Sequence, residues 1–165
     1  MEKEEQVKEV STEEKLIQEA IFEVLENENR AHTSCINPNK EGVFTPLLAV
    51  DDHLFNVTIR QNSKTISIEM IDNELLVGGL INRIKKANGN PGTKEKGKKR
   101  WMSFRIDKKT RYLTILAEVS VNPKEGKGKV VESIRTKFSF FIVLVSMFYS
   151  GVFDMPEDAG KPVKF

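Results

Sequence analysis

Histidine and cysteine are the residue types that most often bind zinc, and this chain of 165 residues has two histidines and one cysteine. His32 and Cys35 are close enough in sequence to supply two ligands, whereas a structural zinc site needs four. His53 has no cysteine or carboxylate companion at a metal-binding spacing. A histidine at a strand edge and a small buried cysteine explain these residues without any ligand. The sequence therefore predicts no metal site.

An acid–base cluster is the other catalytic chemistry that the residue types offer. Asp51, Asp52 and His53 are consecutive and place two carboxylates beside an imidazole. The same tripeptide fits a β-turn, because aspartate side chains accept hydrogen bonds from nearby backbone N–H groups. The chain has no P-loop, no GxGxxG fingerprint and no GxSxG nucleophile elbow. We therefore expect a protein that is not an enzyme and that uses no cofactor.

Lysine and arginine are concentrated in two segments, with five in residues 93–100 and three in residues 122–129. If the strands predicted at 101–106 and 112–121 pair as a hairpin, both segments lie at the same end of the sheet. They would then form a basic rim that attracts phosphates without recognising a base sequence. The residues of this basic rim are Lys94, Lys96, Lys98, Lys99, Arg100, Trp101, Lys124, Lys127 and Lys129.

Two interpretations of the basic rim stay open. In the first, it binds nucleic acid or another polyanion, with the Trp101 ring stacked on a base. In the second, the lysines only keep a protein with a long apolar helix in solution, and Trp101 packs at the end of its strand. Nucleic acid is thus a candidate partner that the sequence alone does not favour.

An uncharged run of 16 residues, Phe138–Phe153, dominates the C-terminal part of the chain. It continues an amphipathic segment that starts near Val130, so we expect one long helix that is apolar on more than one face. The run is shorter than the roughly 20 residues of a typical membrane span, which favours a core or dimer helix over a C-terminal membrane anchor. One apolar face can cover the sheet, and the other needs a second cover. We expect a homodimer that buries Phe140, Val143, Leu144 and Met147.

Hydrophobic periodicity assigns the remaining elements. A capping box at 11–14 begins a first helix that ends near Asn29. Alternation of apolar and polar residues predicts three strands between residues 42 and 70 and the hairpin described above. A second helix is predicted at 74–86 between these two groups of strands. The order α-β-β-β-α-β-β-α describes an α+β domain at 11–155, with an antiparallel sheet and helices packed on one face. Residues 1–10 are expected to be a disordered charged tail, and residues 156–165 a C-terminal tail.

Charge is distributed unevenly, although the net charge is only +2. Residues 1–30 hold ten glutamates against four lysines or arginines, whereas residues 83–111 hold twelve lysines or arginines against two acidic residues. The acidic and basic blocks therefore belong to separate surfaces. A single cysteine allows no disulfide within the chain and fits a reducing compartment. The charged N-terminus lacks the apolar stretch of a secretion signal, so we expect a cytoplasmic location.

The segments LLVGGLINRIKKANGN (75–90) and WMSFRIDKKTRYLTILAEVSV (101–121) carry a resemblance to a known family. With the order of elements, they resemble the type III secretion chaperone-like fold, including the YbjN-like proteins, in which a Leu-x-x-x-Leu-Asn helix also precedes a hairpin with an Asp-containing turn. The resemblance implies a non-enzymatic domain, chaperone-like or adaptor-like, that is homodimeric and binds a protein client. Two features depart from that plan, since secretion chaperones are usually acidic and lack the lysine-rich insertion before Trp101.

Overall fold

A computed structural model describes residues 12–28, 37–50, 53–62, 64–72, 80–94 and 100–150 of the chain. Within these residues the elements follow the predicted order, which confirms the α+β fold. Two 3₁₀ turns, at Pro91–Thr93 and Pro123–Glu125, join them. The helices and strands are α1 (Thr12–Asn27), β1 (Leu47–Val50), β2 (His53–Gln61), β3 (Thr65–Asp72), α2 (Leu80–Asn88), β4 (Met102–Ile106), β5 (Leu113–Ser120) and α3 (Lys127–Tyr149).

Several predicted features lie outside the described residues. They include the capping residue Ser11, both tails, the residues His32 and Cys35, and the end of the apolar run after Ser150. The boundaries of all three helices differ from the sequence prediction. Helix α1 ends at Asn27 instead of near Asn29, and α2 ends at Asn88, two residues later than expected. Helix α3 begins at Lys127 instead of near Val130.

The five strands form one antiparallel sheet in the order β1-β2-β3-β5-β4. The chain leaves β3, passes through α2 and enters the sheet again at β4, two positions away from β3. Strand β5 then fills the position between β3 and β4. The β3–β5 pairing is the longest in the sheet and extends from Thr65 opposite Ser120 to Asp72 opposite Leu113. Strands β1 and β4 are therefore the two edges of the sheet.

One face of the sheet is buried and the other is open to solvent, because alternate residues of each strand point to opposite faces. On β3, for example, Ile66, Ile68 and Met70 are buried whereas Ser67 is exposed. All three helices pack on the buried face, with α1 against α3 and α2 against β4. This arrangement confirms the predicted placement of the helices.

The hairpin turn between β4 and β5 is held by an aspartate, as its sequence suggests. The Asp107 carboxylate accepts hydrogen bonds from the backbone N–H groups of Lys109 and Thr110, at 2.8 and 3.0 Å. These bonds lower the pKa of Asp107 below its usual value, and the bond from Thr110 has the largest effect. Arg111 completes the turn with a positive φ of 61°. The hairpin on which the basic rim depends is thus locally encoded.

The C-terminal end of α3 is tied to the end of β3 by a side-chain hydrogen bond. The Tyr149 hydroxyl donates to the Asp72 carboxylate at 2.6 Å, and the Tyr149 ring lies 5.0 Å from the ring of Phe55. Burial first, and then the bond to Asp72, raise the pKa of Tyr149 far above its ordinary value of 10.0. The folded protein therefore holds Tyr149 in its neutral form.

Replacing Tyr149 by phenylalanine is expected to lower the free energy of unfolding at neutral pH by about 2 kcal/mol, since a hydrogen bond to a charged group is lost. The raised pKa favours folding fully below pH 10, where an unfolded tyrosine is neutral, and this contribution is lost as the pH rises above 10. Between pH 10 and 11, the difference between wild type and Tyr149→Phe should therefore shrink by about 1 kcal/mol. Urea unfolding as a function of pH measures this difference in the free energy of unfolding. Tyr112→Phe, at an exposed position, is the control. A difference that does not change with pH would contradict the assignment.

Candidate interaction surfaces

The lysine-rich loop of the basic rim is closed at its base by backbone bonds. The backbone N–H of Trp101 donates to the Thr93 carbonyl at 2.9 Å. The next residues into the loop, Lys94 and Arg100, form a β-bridge. Thr93 is fully buried, and its hydroxyl donates to the carbonyl of Asn90 at 2.8 Å. The base therefore holds Lys94 and Arg100 side by side at the surface. Lys96, Lys98 and Lys99 lie outside the described residues.

Trp101 packs at the start of β4 and presents little surface to a ligand. Its side chain is 5% exposed, and the indole N–H donates to the Gly92 carbonyl at 2.7 Å. The Lys137 ammonium lies 4.5 Å from the centre of its ring, in a cation–π contact. Of the two alternatives considered for Trp101, the structure shows packing at the strand end. Its place in the fold is to anchor the loop that carries Lys94 and Arg100.

The second lysine-rich segment lies at the same end of the sheet, as the antiparallel pairing of β4 with β5 requires. Lys124 is exposed in the 3₁₀ turn after β5, and Lys129 is exposed in the first turn of α3. Lys127 instead faces the acidic helix α1, where its ammonium lies 3.9 Å from a carboxylate oxygen of both Glu19 and Glu23. Exposed ion pairs of this kind add little stability. They do, however, place the Lys127 ammonium beside the two glutamates of α1.

Two cations that the sequence analysis missed belong to this end of the sheet. Lys64 follows β2, and its carbonyl accepts a hydrogen bond from the Val121 N–H at 2.8 Å, which brings it beside the second segment. Lys137 reaches the loop base through its contact with Trp101. Lys64 lies beside Val121 only because β5 pairs with β3. The sequence pattern of the β4–β5 hairpin does not indicate that pairing, so Lys64 could not be assigned to the basic end from the sequence.

The outer face of α3 is the second surface with functional potential. Phe140 and Val143 are 50% and 47% exposed in the middle of a helix whose opposite side is buried. Met147 is partly buried, whereas Leu144 is only 2% exposed and belongs to the core. Three of the four predicted dimer residues therefore keep exposed surface in a single chain. The fourth, Leu144, is covered by the chain itself.

Helix α2 lies beside α3. The turn after α2 approaches α3 closely, since a Cβ placed on Gly92 would lie 3.3 Å from the Phe140 ring. At the other end of α2, the Arg83 guanidinium lies over the Phe148 ring at 5.5 Å. The two helices thus run in opposite directions, and Ile81 on α2 is 64% exposed. We define the apolar patch as Phe140, Val143 and Met147, which lie on one face of α3.

Among the described residues, no group of three or more histidine, cysteine or acidic side chains is placed to hold a metal ion. No helix within the same residues is long and apolar enough to cross a membrane. The Asp51-Asp52-His53 side chains lie outside the described set.

Comparison of the chain with protein-family models, with curated proteins and with solved structures finds no match. The resemblance to secretion chaperone-like proteins therefore stays a prediction, and function has to be argued from the surfaces themselves.

Proposed function

We propose that the chain is a non-enzymatic, cytoplasmic protein-binding domain, chaperone-like or adaptor-like, that acts as a homodimer and binds a protein client. The observation that carries this proposal is the exposure of Phe140 and Val143. Large apolar side chains that lie together at a surface favour association, because contact with another protein removes them from water. On helix α2, Ile81 is also exposed.

A second copy of the chain is the occupant that fits the apolar patch best. In a two-fold dimer the same patch meets itself, so an apolar and uncharged surface is complementary to its own copy. The N-terminal half of the outer α3 face is polar and includes the exposed Glu132 and Arg135, which confines the apolar contact to the C-terminal half. A client would then use other surfaces of the dimer.

Replacing Val143 by glutamate is expected to convert the dimer to a monomer, because each copy would bury an unpaired carboxylate at the two-fold contact. Light scattering after size-exclusion chromatography at tens of micromolar measures the mass. The matched control is Ser133→Glu, which adds the same charge to an exposed position in the polar half of the outer face. This control should remain a dimer. A monomeric wild type, or a Val143→Glu protein that stays dimeric, would contradict the proposed interface.

The alternative function is binding of a nucleic acid or another polyanion by the basic rim. It is supported by the bridge that places Lys94 beside Arg100 and by the exposure of Lys124 and Lys129 at the same end of the sheet. Several cations on one surface attract a phosphate backbone of any sequence. The packed position of Trp101 removes base stacking by that side chain from this alternative.

A further inference from the structure

Two turns at the basic end of the sheet are held by asparagine side chains and are bonded to each other. In the first, the Asn62 side chain accepts hydrogen bonds from the N–H groups of Lys64 and Thr65, at 2.9 and 2.7 Å. In the second, the Asn122 side chain accepts one from the Lys124 N–H at 3.1 Å. The bond from the Val121 N–H to the Lys64 carbonyl joins the two turns. Lys64 and Lys124 are therefore carried by one connected backbone unit.

A cavity of about 550 Å³ lies between these turns and the start of α1. Both lysines line it, together with Thr65 and Ser120, which are direct partners across the β3–β5 ladder. Glu13, in the first turn of α1, lines the opposite side. The volume is in the range of sites for small ligands, which is roughly 300–1,000 Å³.

The charges around the cavity favour an anion. Among the described residues, neither Lys64 nor Lys124 forms an ion pair, and both side chains are exposed. The dipole of helix α1, whose first turn carries Glu13, adds a partial positive charge beside the cavity. Among the described residues that line the cavity, Glu13 is the only acidic one, and it opposes the two lysines.

We propose that this cavity, which we name the Lys64–Lys124 site, binds a compact ligand that carries one or more phosphate groups. A compact ligand fits better than a nucleic-acid strand, because the lining is concave and Glu13 would repel phosphates that continue past the two lysines. The inference does not depend on the proposed protein-binding function, since the apolar patch and the Lys64–Lys124 site share no residue.

Pyrophosphate is a suitable probe, and calorimetric titration of the full chain at low salt measures its binding. We expect saturable binding of one pyrophosphate per chain. Lys64→Ser and Lys124→Ser should each weaken binding about tenfold, since each removes a hydrogen bond to a charged group. Glu13→Gln should strengthen binding about threefold because it removes the opposing charge. The gain is the sharper test. Glu13→Gln removes an acidic residue that stabilises the start of α1, so it should lower stability slightly, and a structural defect would weaken binding instead of strengthening it.

The matched control is the double variant Lys108→Ser, Lys109→Ser, which removes two positive charges at the opposite end of the hairpin and should leave affinity unchanged. Equal weakening by this control, or weaker binding after Glu13→Gln, would overturn the site. So would the absence of saturable pyrophosphate binding.

A titration with single-stranded DNA of about 15 nucleotides tests the competing explanation, which is binding of a nucleic acid by the basic rim. If DNA binds more tightly than pyrophosphate and Lys94 and Arg100 are needed as much as Lys64, the compact-ligand proposal is wrong and the polyanion alternative is supported. The mass measurement of the dimer is separate from all of these outcomes.

Discussion

Replacing Phe148 by alanine is expected to lower the free energy of unfolding by about 4 kcal/mol, the largest effect of any single change considered. Phe148 is 0% exposed, and its ring stacks on that of Phe104 with a centroid distance of 5.0 Å. The same ring meets Tyr149 edge-on and lies under the Arg83 guanidinium. Truncation would leave a cavity between α3, β4 and α2 that none of these groups can fill without moving.

The matched control for Phe148 lies on the same helix. Phe140→Ala is the same substitution two turns earlier, on the exposed outer face, and should cost less than about 1 kcal/mol in the monomer. Urea unfolding at a protein concentration low enough to dissociate any dimer measures both variants. Similar losses for the two would show that the inner and outer faces of α3 have been assigned wrongly.

Replacing Asn88 by alanine is expected to lower the free energy of unfolding by about 3 kcal/mol, because it leaves two backbone groups without partners. Strand β4 is an edge of the sheet, and the Asn88 carboxamide occupies the free side of that edge at Phe104. Its side-chain oxygen accepts from the Phe104 N–H and its side-chain N–H donates to the Phe104 carbonyl, both at 2.8 Å. Asn88 thus takes the place of a neighbouring strand at one residue and fixes α2 against the sheet.

Asn82→Ala is the control for this change, because Asn82 is exposed on the same helix. It should be neutral or slightly stabilising, since alanine is the better helix former. Hydrogen exchange gives a second readout. The Phe104 amide should exchange faster in Asn88→Ala than in Asn82→Ala, and equal exchange rates would show that Asn88 does not protect the edge.

Local patterns were sufficient to predict the elements. Ile66, Ile68 and Met70 alternate with polar residues, and that period can bury only one face of a strand. The apolar residues of α1 recur at the spacing of a helix, and this pattern is as local as the length of the apolar run on α3. The structure buries Ile17, Ile21 and Phe138 as these patterns require. The exact boundaries of the helices were less accurate, because the terminal turns of a helix depend on tertiary contacts as well as on residue type.

The candidate surfaces were predicted only in part. The hairpin between residues 101 and 121 placed both lysine-rich segments at one end of the sheet, since its turn is encoded by Asp107. The sequence could not show that Lys127 turns to Glu19 and Glu23 on α1, because that contact joins residues about a hundred positions apart. It also could not separate Leu144 from its neighbours on α3, since a helix that is apolar all round carries no periodic sign of which face is inward.

The sequence by itself determined the types and order of the elements, the buried face of each strand, and the turn that brings the two lysine-rich segments together. These features arise from interactions within a few residues of one another, such as side-chain alternation, capping and Asx turns. Only the tertiary structure decided that β5 enters the sheet beside β3, that Asn88 covers the edge at Phe104, and that Lys64 meets Lys124 across one cavity. Each of these depends on which distant segments pack together, and that choice is made by burial and hydrogen bonding summed over the whole domain.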